Sequence, residues 1–311
     1  MRALRELRRF GIYWVLLLTV LSAAFYLPNF RSYENLTNIL NQSAALAVLS
    51  VGQTFVILCG LIDLSVGQLL GLVVVLGCAL MGTQPGGTIA ALGVALGLGA
   101  AVGATNGLLN NLLRIHPLIL TFGTMGILQG IIFVFTDRSV GTASPLVVWL
   151  ANGQLGGLPV PAILLAIITA GAYLILQYTR FGRHIYAVGG NEENARRVGV
   201  NVQRVKLLAF VMSGLSAGLA GILVAGRIGT GYPNAGIGFE LDAIVAVVLG
   251  GTSLAGGVGS VIGSAIAAVA LGVASNLFNL LGISVFVQML VKGVIVIAAV
   301  LFNQVGVTAR D

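Results

Sequence analysis

The sequence predicts an all-α polytopic membrane protein, a bundle of apolar helices that crosses a membrane several times. Of its 311 residues, 58% are hydrophobic and only 8% are charged, whereas about a quarter of an ordinary soluble domain is charged. Mean hydropathy is +1.03. The 44 glycines are about twice the usual share and suit close contacts between membrane helices. The composition therefore argues against a soluble enzyme and predicts one transmembrane domain over residues 1–311.

A helix of about 20 apolar residues crosses a bilayer, and the apolar runs of this chain provide about eight to ten such helices. Ten are predicted near residues 11–30, 43–62, 64–82, 89–113, 117–136, 161–178, 207–226, 243–257, 259–281 and 283–303. The first follows an arginine-rich start and is too long for a signal peptide. It is therefore expected to remain as a helix whose N terminus lies in the cytoplasm.

The distribution of basic residues supports this topology. With the N terminus inside, the cytoplasmic side receives twelve of the 16 lysines and arginines and the outer side receives three, as the positive-inside rule requires. Both termini are then cytoplasmic. The formal charge of +7 is explained by this bias, so a lipid environment is predicted and a nucleic-acid partner is not.

Glycine clusters predict helices that are interrupted within the membrane. The run 249–260 contains too many glycines for an uninterrupted helix, and a comparable string lies at 58–71. The spacing of Gly259 and Gly263 repeats that of Gly67 and Gly71, which suggests an internal repeat of the kind found in many transporters. The predicted broken-helix glycines are Gly67, Gly71, Gly250, Gly251, Gly256, Gly257 and Gly259.

One motif permits an enzymatic interpretation. Residues 214–218 have the G-x-S-x-G form of a hydrolase nucleophile, Ser216. That motif requires a strand before the serine, whereas Ser216 lies in an apolar helical run and both histidines fall in cytoplasmic loops. A small-residue packing face is favoured instead. The same interpretation applies to Gly99, Gly103 and Gly107, and to Gly126 and Gly130.

The sequence contains no phosphate-binding loop of the G-x-x-x-x-G-K-[ST] form, no G-x-G-x-x-G and no H-E-x-x-H. The chain is therefore expected to bind no ATP by a phosphate loop and to carry no cofactor or metal. Cys59 and Cys78 both lie in apolar runs and indicate neither a disulfide framework nor a metal site.

The longest cytoplasmic loop, residues 179–206, predicts a short capped helix between Asn191 and Gly199. Its signals are an N-cap at Asn191, acidic Glu192 and Glu193 in the first turn, basic Arg196 and Arg197 in the last turn, and a stop at Gly199. Two helical turns are not stable alone in water. The helix must rest on the membrane domain or on a partner, unless the loop is only a basic interfacial segment.

Several polar residues lie in or beside apolar runs. Asp63, followed by Ser65, either caps the next helix or contacts substrate. Asn106 and Asn110 share one helix face, as do Asn276 and Asn279, and each pair either lines a polar path or bonds to another helix. The candidates for the translocation path or gate are Gln53, Asp63, Ser65, Gln68, Asn106, Asn110, Asn276, Asn279 and Gln288.

Four motifs along the chain resemble those of ribose-type monosaccharide permeases of bacterial ABC importers, in the same order. They are GLIDLSVG at 60–67, PLILTFGTM at 117–125, FGRHIYAVGGN at 181–191 with its continuation to Gly199, and GGTSLAGGVG at 250–259. The resemblance covers nearly the whole chain, and the D-L-S-V-G string argues against the related branched-chain amino acid permeases.

This resemblance implies a multi-pass permease of the bacterial inner membrane, without enzymatic activity of its own, that imports a monosaccharide or small polyol. It further implies a second permease subunit in a homodimer, a cytoplasmic ATP-binding-cassette protein that carries ATP and Mg, and an extracytoplasmic sugar-binding protein that docks near 137–159 and 227–242. The segment that couples to the ATPase would comprise Gly189, Asn191, Glu192, Glu193, Ala195, Arg196, Arg197 and Gly199.

A sugar offers only neutral hydroxyl groups, so amide and hydroxyl side chains would suffice along its path. The alternative is an ion-coupled secondary carrier or facilitator. That alternative requires an ionisable cluster in the membrane, for which the sequence offers only Asp63 and Lys292 as isolated candidates.

Overall fold

The computed structural model describes residues 28–81, 85–113, 115–284, 286–291 and 293–294. After a 3-10 turn at Pro28–Arg31, the α-helices in chain order are α1 Tyr33–Leu58, α2 Val66–Leu80, α3 Pro85–Leu113, α4 Pro117–Phe135, α5 Pro145–Asn152, α6 Val160–Tyr178, α7 Arg180–Gly190, α8 Glu192–Arg197, α9 Val202–Ile228, α10 Phe239–Leu249 and α11 Val261–Leu280. Strands β1 Gln154–Leu155 and β2 Leu158–Pro159 form a small antiparallel hairpin between α5 and α6.

Within the described residues, six helices are long and apolar enough to cross a membrane, namely α1, α3, α4, α6, α9 and α11. The predicted span at 64–82 is the shorter apolar helix α2. Residues 11–27 of the first predicted span and about half of the span predicted at 283–303 lie outside the described residues. The polytopic all-α fold is as predicted, with α1 beginning ten residues before the expected position 43 because Ser32 caps it.

Helices α1, α2 and α9 form the centre of the bundle, and α3, α4 and α6 lie around them with much of their surface exposed. Glycines bring α3 and α9 into backbone contact. Gly99 lies against Gly214, and Gly103 against the backbone of Phe210. Such close approach is how small residues hold membrane helices together.

Ser216 lies on the face of α9 that meets α1, where its side chain touches Gly52. It is 7% exposed and lies within a continuous helix. The packing interpretation of residues 214–218 therefore fits, and the strand that a nucleophile elbow needs is absent before Ser216. In contrast, a Cβ atom added at Gly126 or Gly130 of α4 would meet no atom within 4 Å. The expectation that these two glycines form a packing face is therefore not met within the described chain.

The span predicted at 243–257 is interrupted, as the glycine run 249–260 predicts. Helix α10 is only 11 residues long, and the chain before it, 229–238, runs without helix along α2, with Gly231 against Val75 and Gly236 against Gly71. Gly238 adopts the left-handed conformation (φ 88°) that favours glycine and turns the chain into α10. The chain from 250 to 260 is again non-helical.

This geometry corrects part of the expectation about broken-helix glycines. Gly67 and Gly71 do not interrupt a helix, because both lie inside α2 and receive the backbone of residue 236 instead. The interruption in the first half lies just before them, at 59–65. Gly250, Gly251, Gly256, Gly257 and Gly259 all lie in the non-helical run after α10.

Candidate coupling site and buried polar network

Residues 179–206 form two helices, α7 and α8, and then enter α9. Sequence reasoning expected only α8. Three glycines lower the helix propensity of 180–190, yet Thr179 starts α7 by accepting the amide of Gly182 at 3.2 Å. The threonine before this segment was the available signal for a helix start.

Helix α8 has the caps that its sequence predicts. Asn191 Oδ1 accepts the amide of Asn194 at 2.8 Å. At the other end Gly199 is left-handed (φ 85°), and its amide and that of Val200 bond back to the last turn. This is the pattern that ends many helices at glycine. Ala195 faces inward and is 3% exposed, so α8 rests on the membrane domain.

Ion pairs stabilise α8 along its length and connect it to α9. Glu192 pairs with Arg196 at 3.0 Å and Glu193 with Arg197 at 3.2 Å, both across one helical turn. Glu192 Oε2 also accepts from Lys206 Nζ at 2.7 Å. The Lys206 side chain is only 15% exposed, so this pair fixes the position of α8 relative to α9.

The end of α7 meets both interrupted regions of the bundle. Gly189 packs against the backbone of Leu58, the last residue of α1, and against Gly257. The Gly257 amide in turn bonds to the Leu58 carbonyl at 2.9 Å. Space is so tight that any side chain at Gly189 would overlap backbone atoms. We call Gly60, Gly189, Gly256 and Gly257, which touch one another here, the glycine junction.

Tyr186 of α7 adds a side-chain bond to this contact. Its hydroxyl donates to the carbonyl of Gly259 at 3.0 Å. Partial burial raises the pKa of the Tyr186 phenol, so the hydroxyl keeps its proton as a donor. A displacement of α7 must therefore act on 250–260 as well as on the end of α1.

A second cluster surrounds Asp63, which is 1% exposed. Asp63 Oδ1 accepts the amide of Ser65 at 3.0 Å and its hydroxyl at 2.6 Å. Asp63 Oδ2 lies 3.1 Å from the hydroxyl of Ser213 on α9. Asp63 therefore stabilises the turn before α2 and links it to α9. It does not cap the helix itself, because the N-cap residue of α2 is Ser65, whose side chain makes no cap bond.

The cluster extends to three more helices. Asn106 of α3 donates to Ser65 Oγ at 2.9 Å and accepts from Thr124 of α4 at 2.7 Å. Gln53 of α1 donates to the Asp63 carbonyl at 3.1 Å. The structure thus brings together four of the predicted path residues, Gln53, Asp63, Ser65 and Asn106. We call them, with Thr124 and Ser213, the Asp63 network.

The other predicted path residues lie apart from this network or join different partners. Asn110 donates to the carbonyl of Ile115 beyond the end of its own helix. Asn276 exchanges amide hydrogen bonds with Asn35 of α1 at 2.8 and 3.1 Å. Asn279 accepts from Gln288 at 2.9 Å. These contacts bond one segment to another, and a role in the path for these residues and for Gln68 stays a prediction.

Sequence reasoning missed several partners of these sites. Thr124 and Ser213 looked like ordinary helix residues, and Lys206 pairs with a glutamate 14 positions away, which no local pattern indicates. In the described part of the chain, no three His, Cys, Asp or Glu side chains are placed to hold a metal ion. Lys292 lies outside the described residues.

Comparison with known proteins identifies the family. Residues 35–300 match the sequence model of a family described as "Branched-chain amino acid transport system / permease component". The ribose import permease protein RbsC of Escherichia coli K12 is 42% identical over 286 residues, which cover 89% of this chain and 87% of that protein.

Two further relatives extend over more of the chain. RbsC of Bacillus subtilis is 39% identical over 304 residues, covering 96% of this chain and 93% of that protein. The L-arabinose transport system permease protein AraH of E. coli K12 is 37% identical over 302 residues, covering 95% and 90% respectively. No solved structure matches the chain. The resemblance to ribose-type permeases seen in the four motifs is confirmed, and the chain belongs to this family of membrane-spanning transport permeases.

Proposed function

We propose that the chain is the membrane-spanning permease subunit of an ATP-driven importer for a ribose-like monosaccharide or related small polyol. The names of its relatives, ribose and L-arabinose permeases, support this substrate class. Because the sequence has no phosphate-binding loop, ATP and Mg are assigned to a separate cytoplasmic ATP-binding-cassette protein.

The observation that carries the coupling mechanism is the double attachment of the segment 179–206. It is held to α9 through Glu192 and Lys206, and to α1 and residues 250–260 through the glycine junction and Tyr186. A partner that binds α8 and shifts it therefore pulls on two interrupted regions of the bundle at once. Packed elements transmit such shifts as movements of whole bodies, which can alternate access to a central path.

The remaining partners follow from the same assignment. A second copy of the permease completes the transport unit, and an extracytoplasmic sugar-binding protein docks on the outer segments 137–159 and 227–242. The first of these contains α5 and the hairpin, which provide an ordered surface. The protein resides in the bacterial inner membrane among lipids, with both termini in the cytoplasm.

The Asp63 network is assigned to the inner part of the translocation path, as a gate. Its members come from α1, α3, α4, α9 and the loop before α2. Separating these helices breaks several buried hydrogen bonds together, so the closed arrangement resists opening until the segment 179–206 moves.

Affinity purification of the tagged chain in mild detergent tests the partner assignment. An ATP-binding-cassette protein should co-purify with the wild type and be lost with Glu193→Lys or Arg196→Glu. Both residues lie on the exposed surface of α8. Asp137→Lys, an equal reversal at an exposed residue of an outer segment, should keep the cassette. Retention of the cassette by both α8 variants would refute the coupling role.

A further inference from the structure

Glu240 is a buried carboxylate in the middle of the broken segment. It is 9% exposed and lies in the first turn of α10, two residues after the left-handed Gly238. Its Oε1 accepts the amide of Gly238 at 3.2 Å. Its Oε2 is buried and has no hydrogen-bond partner among the described residues. A buried acceptor without a donor is costly, and more so when it is charged, so it calls for an explanation.

The surroundings place this carboxylate between α10 and α2. Its Oε2 lies against Gly67 of α2. One turn further along α2, Leu70 contacts Gly221 of α9, and α9 runs from Val202 to Ile228. Ionisable groups that are buried among membrane helices are costly to keep and usually serve a function.

Two features adapt the site to a ligand. Gly67 leaves room for Oε2, since a methyl group there would overlap it and lie 2.9 Å from the carbonyl oxygen of Gly236. Gln68, the next residue of α2, is 3% exposed, and its Oε1 is likewise without a partner in the described chain. Two buried acceptors on neighbouring elements thus lack donors. Interrupted helices are where many transporters bind substrate.

We propose that Glu240 accepts hydrogen bonds from hydroxyl groups of the transported monosaccharide at a binding site between α10 and α2. This inference rests on the proposed function and adds a residue to it. A sugar presents neighbouring hydroxyl donors, which match the two oxygens of a carboxylate. In the present conformation Gly67 and Gly236 cover the carboxylate, and a separation of α10 from α2 exposes it to the sugar.

The test uses proteoliposomes that contain the permease, its cassette protein and its sugar-binding protein, with radiolabelled D-ribose and L-arabinose as probes. Glu240→Gln keeps the size of the side chain but removes the charge and one acceptor oxygen. Sugar uptake per ATP hydrolysed should fall about tenfold or more, while ATP hydrolysis stays within about twofold. Gly67→Ala should also lower uptake, but it tests the contact between α2 and α10 and not the charge, because its methyl group would overlap Oε2 and approach the Gly236 carbonyl oxygen to 2.9 Å.

Gly77→Ala is the matched control on α2. Its methyl group would meet only side-chain atoms at 3.4 and 4.0 Å, so uptake should be unchanged. Uptake by Glu240→Gln within about twofold of wild type would overturn the proposal. So would an equal loss of uptake and ATP hydrolysis, which indicates a residue that only holds the fold. If the wild type takes up no monosaccharide or small polyol in an ATP-dependent way, the proposed function itself fails, and this inference fails with it.

Discussion

Lys206 Nζ lies 2.7 Å from Glu192 Oε2, and this contact ties the two-turn helix α8 to the first turns of α9. Exposed ion pairs are worth little, but here the lysine side chain is 15% exposed and the glutamate also holds Arg196. A helix of six residues cannot persist alone. Its position therefore depends on this pair together with its caps and the burial of Ala195.

Replacing Lys206 by methionine should loosen α8 without removing it. The apolar stem is kept while the bond to Glu192 is lost, at a cost of about 1 kcal/mol, or about fivefold in an equilibrium. We expect hydrogen exchange of residues 192–199 to quicken and affinity for the cassette protein to fall by about that factor. Arg204→Met, at an exposed position nearby, is the control. Equal exchange in both variants would show that the pair does not position α8.

Removing the Tyr186 hydroxyl should weaken the link between α7 and 250–260. Tyr186→Phe leaves the carbonyl of Gly259 without its donor, at a cost of about 1 kcal/mol. Hydrogen exchange of the backbone amides within 250–260 should quicken, and less sugar should be taken up per ATP hydrolysed. Tyr178→Phe, at a tyrosine that is 70% exposed, should change neither quantity. If the two variants behave alike, the hydroxyl plays no part in transmission.

The contact between α3 and α9 predicts a contrast between two glycines of one helix. A methyl group on Gly103 would overlap the carbonyl oxygen of Phe210, whereas one on Gly97 would meet nothing within 4 Å. Gly103→Ala should therefore lower stability by about 1–3 kcal/mol. Gly97→Ala should not lower it. Thermal unfolding in detergent measures the difference, and equal midpoints would mean that α3 and α9 do not approach this closely.

Local signals predicted much of the coupling site. The caps of α8 could be read from Asn191 and Gly199 because each acts on backbone groups only three or four residues away. The pairing of Glu192 with Lys206 could not be predicted from the sequence, since it depends on the angle at which α9 leaves the loop. Helix α7 was missed because its glycines indicate a loop, whereas packing against Leu58 requires a residue without a side chain at Gly189.

In the membrane-spanning helices, too, some features could be predicted from the sequence and others depend on packing between distant segments. Hydropathy located α4 and α6 to within a residue or two, because each is one continuous apolar run. It left 229–238 between two spans, but it could not show that this segment runs along α2, since the hydropathy of a residue does not say which helix it packs against. That region is shaped by the glycine surface of α2, where Gly71 admits Gly236. The carboxylate of Glu240, with its unpartnered oxygen, lies beside this segment, and no sequence pattern predicts its burial.

The most direct test of the central claim is uptake of radiolabelled D-ribose and L-arabinose into proteoliposomes that contain the permease with its cassette and sugar-binding proteins. The proposed importer predicts uptake that requires ATP and the cassette protein, persists when ionophores abolish ion gradients, and fails with Glu193→Lys. Uptake by the permease alone, driven by a proton or sodium gradient without ATP, would contradict it and favour an ion-coupled carrier.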